Sequence, residues 1–388
     1  MDITIHPQKL QGMIDIIPSK SQAHRYLICA AFADGPTQIG CTETSRDMDA
    51  TADCLTALGA QIQRTDWGYQ VTPIDRPPEK TVLPCRDSGS TLRFLLPVVG
   101  ALGVDATFLM EGRLPQRPLS SLWEEMERMD CTLCRPTENT IRCQGKLKAG
   151  EYVIDGGVSS QFITGLLFAQ SLIPGECKLT ITGKVESMPY IKLTQDALCL
   201  FGAPRFHSPG TVTVEGDWSN GAFWLAAKEL GSDVDVLNLN PNSVQGDRTA
   251  ASLLKELTEN IEIDVSDIPD LVPILAIAAA VNQGAVFRNI GRLRLKESDR
   301  VESTIAMIES LGGRASDMGD HLVVHGTGLV GGTVDSVNDH RVAMSAAIAA
   351  TVCTSPVTIL GAECVEKSYP KFWAEYARLG GNYELNLR

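Results

Sequence analysis

Two kinds of side chain stand out in this sequence for the chemistry they could do: cations placed to hold anions, and carboxylates set among those cations. Residues 19–25 read SKSQAHR, putting Lys20, Ser21 and Arg25 at the head of an apolar run. Backbone N–H groups at a helix start have no intrahelical acceptor and carry positive potential, so hydroxyls and cations there make an anion site. Arg93 and Arg341 occupy similar heads, and Arg117, Lys296, Arg300 and Lys367 fall in loops. Phosphate is the natural ligand, because Arg grips it with two N–H groups and Lys supplies a point charge. Proton transfer needs carboxylates near such cations, and Asp270 and Glu297 qualify. Each also has a bland reading. Asp270 would cap the apolar helix that follows it, and residues 292–300 (RLRLKESDR) would be a solvated charge run with Ser298 as a helix N-cap. His24 and His340 read as packed or orienting residues.

The elements that must position these groups repeat. Residues 19–33, 87–102, 159–172, 217–230, 270–281 and 339–352 each join a polar tip to an apolar body. None has a polar face, so each is predicted to be a helix buried on all sides. A short strand follows each, then a helix mixing apolar and charged residues at helical spacing, then one or two further strands. Glycine ends several of the mixed helices, as at Gly59, Gly202, Gly312 and Gly380. No such unit buries its inner helix alone, so units must share a core. The predicted fold is a two-lobed, inside-out α/β barrel in which sheets enclose parallel buried helices, three repeats to a lobe. Residues 19–216 form one lobe; residues 217–388 form the other, completed by residues 1–18. Parallel inner helices would aim three positive helix ends the same way in each lobe, and two facing lobes would enclose an anion-binding cleft.

Composition sets limits. The chain has 388 residues, 44% hydrophobic and 21% charged, with a net charge of −13. That balance suits a globular protein with a large core and argues against a nucleic-acid or membrane-surface partner. No apolar leader opens the sequence and no run is long enough to span a bilayer, so a cytoplasmic location is expected. The eleven cysteines are expected to be reduced. Cys131 and Cys134 form a CxxC pair inside a strand-like segment, where they would point to opposite faces. Residues 326–331, GTGLVG, match a dinucleotide-binding pattern but precede a strand, and His321 and His325 also lie on a strand. No metal or bound cofactor is expected.

The motifs SKSQAHR, DSGSTLR, the Arg-Pro of LPQRPLSSL, SSQF, SMPYI, DIPDLVPILA, LKESDR, NDHRVAM and EKSYP occur in one order from about residue 12 to 379. In that order they resemble the enolpyruvyl transferases, on the branch that serves the shikimate pathway. The resemblance implies two lobes of three βαβαββ-type units and a monomer. It also implies transfer of the enolpyruvyl group of phosphoenolpyruvate to the 5-hydroxyl of shikimate 3-phosphate, by addition and elimination with release of phosphate, towards chorismate and the aromatic amino acids. Carried over motif by motif, Asp270 would be the base at the hydroxyl and Glu297 a proton donor to the methylene, with Lys20 bridging both substrates. Phosphoenolpyruvate would meet Lys20, Gly89, Arg117, Gln161, Arg300, Arg341 and Lys367. Shikimate 3-phosphate would meet Lys20, Ser21, Arg25, Ser159, Ser160, Gln161, Ser187, Asp270 and Lys296.

Some positions depart from the family's habit. Asp87 stands where many relatives carry Asn, Ala23 where Ser is common, Met188 where Lys is common, and Arg292 where an Asn often contacts the shikimate phosphate. Two rivals share the fold: a transferase using UDP-N-acetylglucosamine, and a non-catalytic anion-binding protein. The first usually carries a reactive Cys in the loop before the Arg-Pro pair, and residues 112–118, GRLPQRP, have none.

Overall fold

The structure, a computed structural model, describes residues 1–386. The chain divides into two compact units, Pro18–Glu215 and the pair of segments Met1–Ile17 and Gly216–Arg388. Each has its own continuous hydrophobic core. The α/β architecture expected from the repeats is present in both. Among the described residues no helix is long and apolar enough to cross a membrane.

The Pro18–Glu215 unit holds three inner helices, Lys20–Ala31, Gly89–Leu102 and Ser160–Gln170. Ser19, Ser88 and Ser159 cap them, each accepting a backbone N–H of the first turn on its side-chain oxygen. This is the expected use of a short hydroxyl residue at a helix start. One four-stranded sheet runs Lys80–Arg86, Asp105–Met110, Thr140–Gly145, Cys131–Cys134 in spatial order. Its first pair is parallel and the rest antiparallel. The sheet through Thr37–Gly40 has the same pattern, but its parallel partner, Thr211–Thr213, comes from far along the chain. Gly150–Asp155 and Cys177–Thr182 form a parallel pair alone. Close packing of the inner helices depends on Gly165: a Cβ there would lie 2.3 Å from the Arg93 carbonyl oxygen, so any side chain would force the two helices apart.

The discontinuous unit repeats the plan around Trp218–Glu229, Val272–Val281 and His340–Ala350. Val272–Val281 is the extreme case: every residue but the last is buried. Its four-stranded sheets are Ile261–Asp264, Gly284–Arg288, His321–His325, Arg314–Asp317 and Gly332–Asp335, Val357–Leu360, Asp2–His6, Asn382–Asn386. The N-terminal strand Asp2–His6 is thus an interior strand between two C-terminal ones. Gln11–Asp15 pairs in parallel with Asp233–Leu237. Cys131 is buried and Cys134 exposed, as alternation along a strand requires.

Two helix starts differ from the sequence reading. Asp270 does not cap the helix after it: the residue before that helix is Leu271, and no side chain caps it. Pro273 in the first turn needs no N–H acceptor and fixes its own φ, so the helix starts without a cap. The cap of Arg300–Ser310 is Asp299, which accepts from Val301 N and Glu302 N, rather than Ser298. Residues 292–300 are not a solvated charge run either. Gly291–Leu295 is a 3-10 turn, and Ser298 and Arg300 are buried.

Candidate active site: two sets of anion-holding residues

In the Pro18–Glu215 unit the inner helix starts are tied together by polar side chains. Lys20 Nζ donates to Asp47 Oδ2 at 3.0 Å, with both side chains largely buried. Asp47 lies in the first turn of Arg46–Ala57, a mixed helix, and its acidic start gave no sequence signal beyond ordinary helix polarity. From the same region runs a buried hydroxyl chain. His24 Nδ1 meets Thr51 Oγ1 at 2.7 Å, Thr51 Oγ1 meets Thr91 Oγ1 at 2.7 Å, and Thr91 Oγ1 donates to Ser88 Oγ at 2.8 Å. Burial above all pushes the His24 imidazole down to about 3, so it is a neutral, orienting group.

Gly89 opens its helix beside Arg117, and a Cβ at Gly89 would sit 2.6 Å from Arg117 Nη1. A side chain at Gly89 would push the guanidinium off the helix start. Next to it, Arg93 donates to Gln161 Oε1 at 2.7 Å and to the Pro118 carbonyl at 3.1 Å, and Gln161 Nε2 donates to Ser90 Oγ at 2.9 Å. Gly89, Arg117 and Gln161 therefore belong to one connected patch. Ser159 and Ser160 are buried at the start of the third inner helix. Ser187, also buried, has φ +58°, a left-handed conformation that a serine adopts at a cost.

Arg25, expected to meet shikimate 3-phosphate, makes most of its contacts within its own unit. Its Nε donates to Thr194 Oγ1 at 2.9 Å, Nη1 to the Ser21 carbonyl at 2.5 Å, and Nη2 to the Tyr190 carbonyl at 2.9 Å and Thr164 Oγ1 at 3.4 Å. Its guanidinium also lies over the Phe94 ring, 5.1 Å from the centroid. A guanidinium has five N–H donors, so one remains for a ligand. Burial pulls its pKa down to about 10, still charged at neutral pH. Arg25 thereby holds the segment carrying Ser187 against the helix carrying Lys20 and Ser21.

The other unit gathers the carboxylates. Asp270 Oδ1 accepts from Arg300 Nη1 at 2.7 Å and Lys296 Nζ at 3.4 Å, and Oδ2 accepts from Arg341 Nη2 at 3.0 Å. Arg300, almost wholly buried, also donates from Nη2 to Glu297 Oε2 at 2.8 Å and from Nε to Asp339 Oδ2 at 3.0 Å. Asp339 in turn accepts from Ser298 Oγ at 3.0 Å and caps its own helix through Arg341 N at 3.0 Å. Lys296, Arg300 and Arg341 thus make ion pairs with Asp270, Glu297 and Asp339. Burial opposes the charge on Asp270, but Arg341, Lys296 and Arg300 outweigh it and hold the carboxyl well below its usual range. Burial draws Lys296 down to about 8, partly offset by Asp270. Lys367 ends the 3-10 turn Ala362–Lys367 and is buried, as is His340. Among the described residues no three His, Cys, Asp or Glu are placed to hold a metal ion.

Comparison with known proteins identifies the family. Residues 5–376 match the family model described as EPSP synthase (3-phosphoshikimate 1-carboxyvinyltransferase). A 3-phosphoshikimate 1-carboxyvinyltransferase of Clostridium kluyveri is 38% identical, with 98% of each chain covered. One from Clostridium perfringens is 36% identical at the same coverage. Among solved structures, EPSP synthase from Acinetobacter baumannii superposes with a TM-score of 0.80 at 22% identity over 100% of both chains. The enolpyruvyl transferase NikO from Streptomyces tendae gives 0.75 at 17% identity, covering 99% of this chain and 98% of that one. With a family model matched over residues 5–376 and relatives 36–38% identical over 98% of the chain, the chain belongs to the EPSP synthase family.

Proposed function

We propose that this chain transfers the enolpyruvyl group of phosphoenolpyruvate to the 5-hydroxyl of shikimate 3-phosphate and releases phosphate, as a cytoplasmic, monomeric enzyme of aromatic amino-acid biosynthesis. The observation that carries the residue assignment is the Asp270 carboxylate held by Arg300, Arg341 and Lys296, with Glu297 on the same guanidinium. A base and an acid stand among cations that suit phosphate and carboxylate groups.

The steps follow from that chemistry. Asp270 takes the proton of the 5-hydroxyl as its oxygen bonds to C2 of phosphoenolpyruvate, and the C3 methylene gains a proton from Glu297 or Lys20. The tetrahedral product then loses a C3 proton and expels phosphate, restoring the double bond. Arg117, Gly89, Gln161, Arg300, Arg341, Lys367 and Lys20 hold phosphoenolpyruvate; Ser21, Arg25, Ser159, Ser160, Gln161, Ser187, Lys20 and Lys296 hold shikimate 3-phosphate together with Asp270. Because Arg300, Arg341 and Lys296 all hold the Asp270 carboxylate, an arriving anion competes with Asp270 for its cations. That competition weakens the clamp, raises the proton affinity of Asp270 and turns it into a base when the substrates are present.

The test is phosphate release by the pure protein with both substrates. Release that requires shikimate 3-phosphate supports the reading. No release, or release with UDP-N-acetylglucosamine in its place, overturns it.

A further inference from the structure

Asp247 is a buried carboxyl that the proposed chemistry leaves unused. It sits in the 3-10 turn Gly246–Thr249, 2% exposed. Its Oδ2 accepts a hydrogen bond from the Ser219 hydroxyl, in the first turn of Trp218–Glu229. Its Oδ1 is buried with no hydrogen-bond partner. The turn is pinned: Gln245 Nε2 donates to the Gly216 carbonyl at 2.9 Å, and Trp218 N donates to Gln245 Oε1 at 3.1 Å. Neighbouring Arg248 is exposed and donates to the Pro241 carbonyl at 3.0 Å.

Charged groups on three elements act most strongly on Asp247. Asp270 precedes the second inner helix, Arg341 opens the third, and Asp217 caps the first. Arg341, the one cation of the three, already donates to Asp270 at 3.0 Å. An ionised carboxylate wants several donors, and leaving one buried with a single hydroxyl and two like-charged neighbours is costly. The uncharged acid avoids that cost. Burial first, then the charge of Asp270, push the Asp247 carboxyl up to about 7, with Arg341 and Ser219 pulling the other way. The charge of Asp270 thus favours the uncharged form of Asp247.

We propose that Asp247 is a positioning residue that holds a proton beside the reacting groups, keeping Arg341 committed to Asp270 and to incoming anion. Losing that proton places a second negative charge next to Arg341 and so weakens anion binding. The inference rests on the reading of Asp270 and Arg341 as site residues.

Two measurements test it. Carboxyl-carbon NMR on protein labelled in its aspartates, without substrates, should show one carboxyl titrating near neutral pH that vanishes in Asp247→Asn. Identical titrations in both proteins overturn the proposal. Kinetically, the ratio of wild-type to Asp247→Asn KM for phosphoenolpyruvate cancels the substrate's own ionisation. It should rise about fivefold or more as pH passes from below to above neutrality, the scale of one added charge at short range. A ratio flat with pH overturns the coupling. Ser219→Ala removes the hydrogen bond that favours ionisation, so its KM rise should move to higher pH; no movement counts against the proposal even where Asp247→Asn folds poorly. A protein that releases no phosphate would refute the functional reading, while the NMR titration would still decide whether Asp247 holds the proton.

Discussion

Replacing Asp339 by Asn separates its two roles. Asp339 is fully buried, with Oδ1 on Arg341 N and Oδ2 on Arg300 Nε and Ser298 Oγ. An Asn keeps a capping oxygen, so the helix start at His340 should lose little. It loses the charge that compensates Arg300, and its NH2 meets donors on Arg300. Breaking one side of a buried ion pair costs about 3–5 kcal/mol. Arg300 retains Asp270 and Glu297, which places the expected loss at the lower end, about 3 kcal/mol. For a unit of this size that is about 6–12 °C in Tm, read by calorimetry. The pH dependence supplies a second reading. Burial opposes ionisation of Asp339 and Arg300 outweighs it, so its native pKa lies below its unfolded one. The stability it contributes is present above about pH 4 and fades as pH falls through the native value. The gap between wild type and Asp339→Asn should therefore narrow in acid. A Tm within about 2 °C of wild type at neutral pH, or a gap that widens in acid, would refute the reasoning.

Asp270→Ala should lower kcat by about 10²–10⁴, the usual worth of a general base, while phosphoenolpyruvate still binds by calorimetric titration because Arg341 and Lys296 are released; near-normal turnover removes Asp270 as the base. Lys20→Met should reduce kcat/KM for both substrates by about a hundredfold or more, and a loss under about tenfold counts against its bridging role. Gly89→Ala puts a methyl where Arg117 Nη1 would be 2.6 Å away. It should raise KM for phosphoenolpyruvate more than it lowers kcat, and an unchanged KM would mean the guanidinium is not part of that site.

The inner helices were legible in the sequence because their signal is local: a hydroxyl or Asp tip, then ten or so apolar residues. Ser19, Ser88, Ser159, Asp217 and Asp339 all cap as such tips should. Where two local rules compete, locality misleads. Asp270 looked like a cap, but Pro273 sets the helix start and the carboxylate is drawn to Arg300 and Arg341 instead. Buried charge was the least legible feature. Arg300 belongs to a run that reads as solvated, and besides the nearby Glu297 its partners lie 30 and 39 residues away. Arg25 likewise spends donors on Thr194 and Tyr190, 169 and 165 residues away. Asp247 gave no signal, because an Asp in a turn is ordinary.

The place of Asp2–His6 in its sheet has a consequence for how the chain is made. That strand lies between Val357–Leu360 and Asn382–Asn386, with His6 opposite Asn382. Asp2–His6 must therefore wait for Asn382–Asn386 to be made, tens of seconds later at roughly 5–20 residues per second. Pro18–Glu215 is contiguous and can assemble during that wait. Vectorial synthesis thus favours finishing Pro18–Glu215 while the discontinuous unit still has an open sheet, which closes only when Asn382–Asn386 pairs with Asp2–His6.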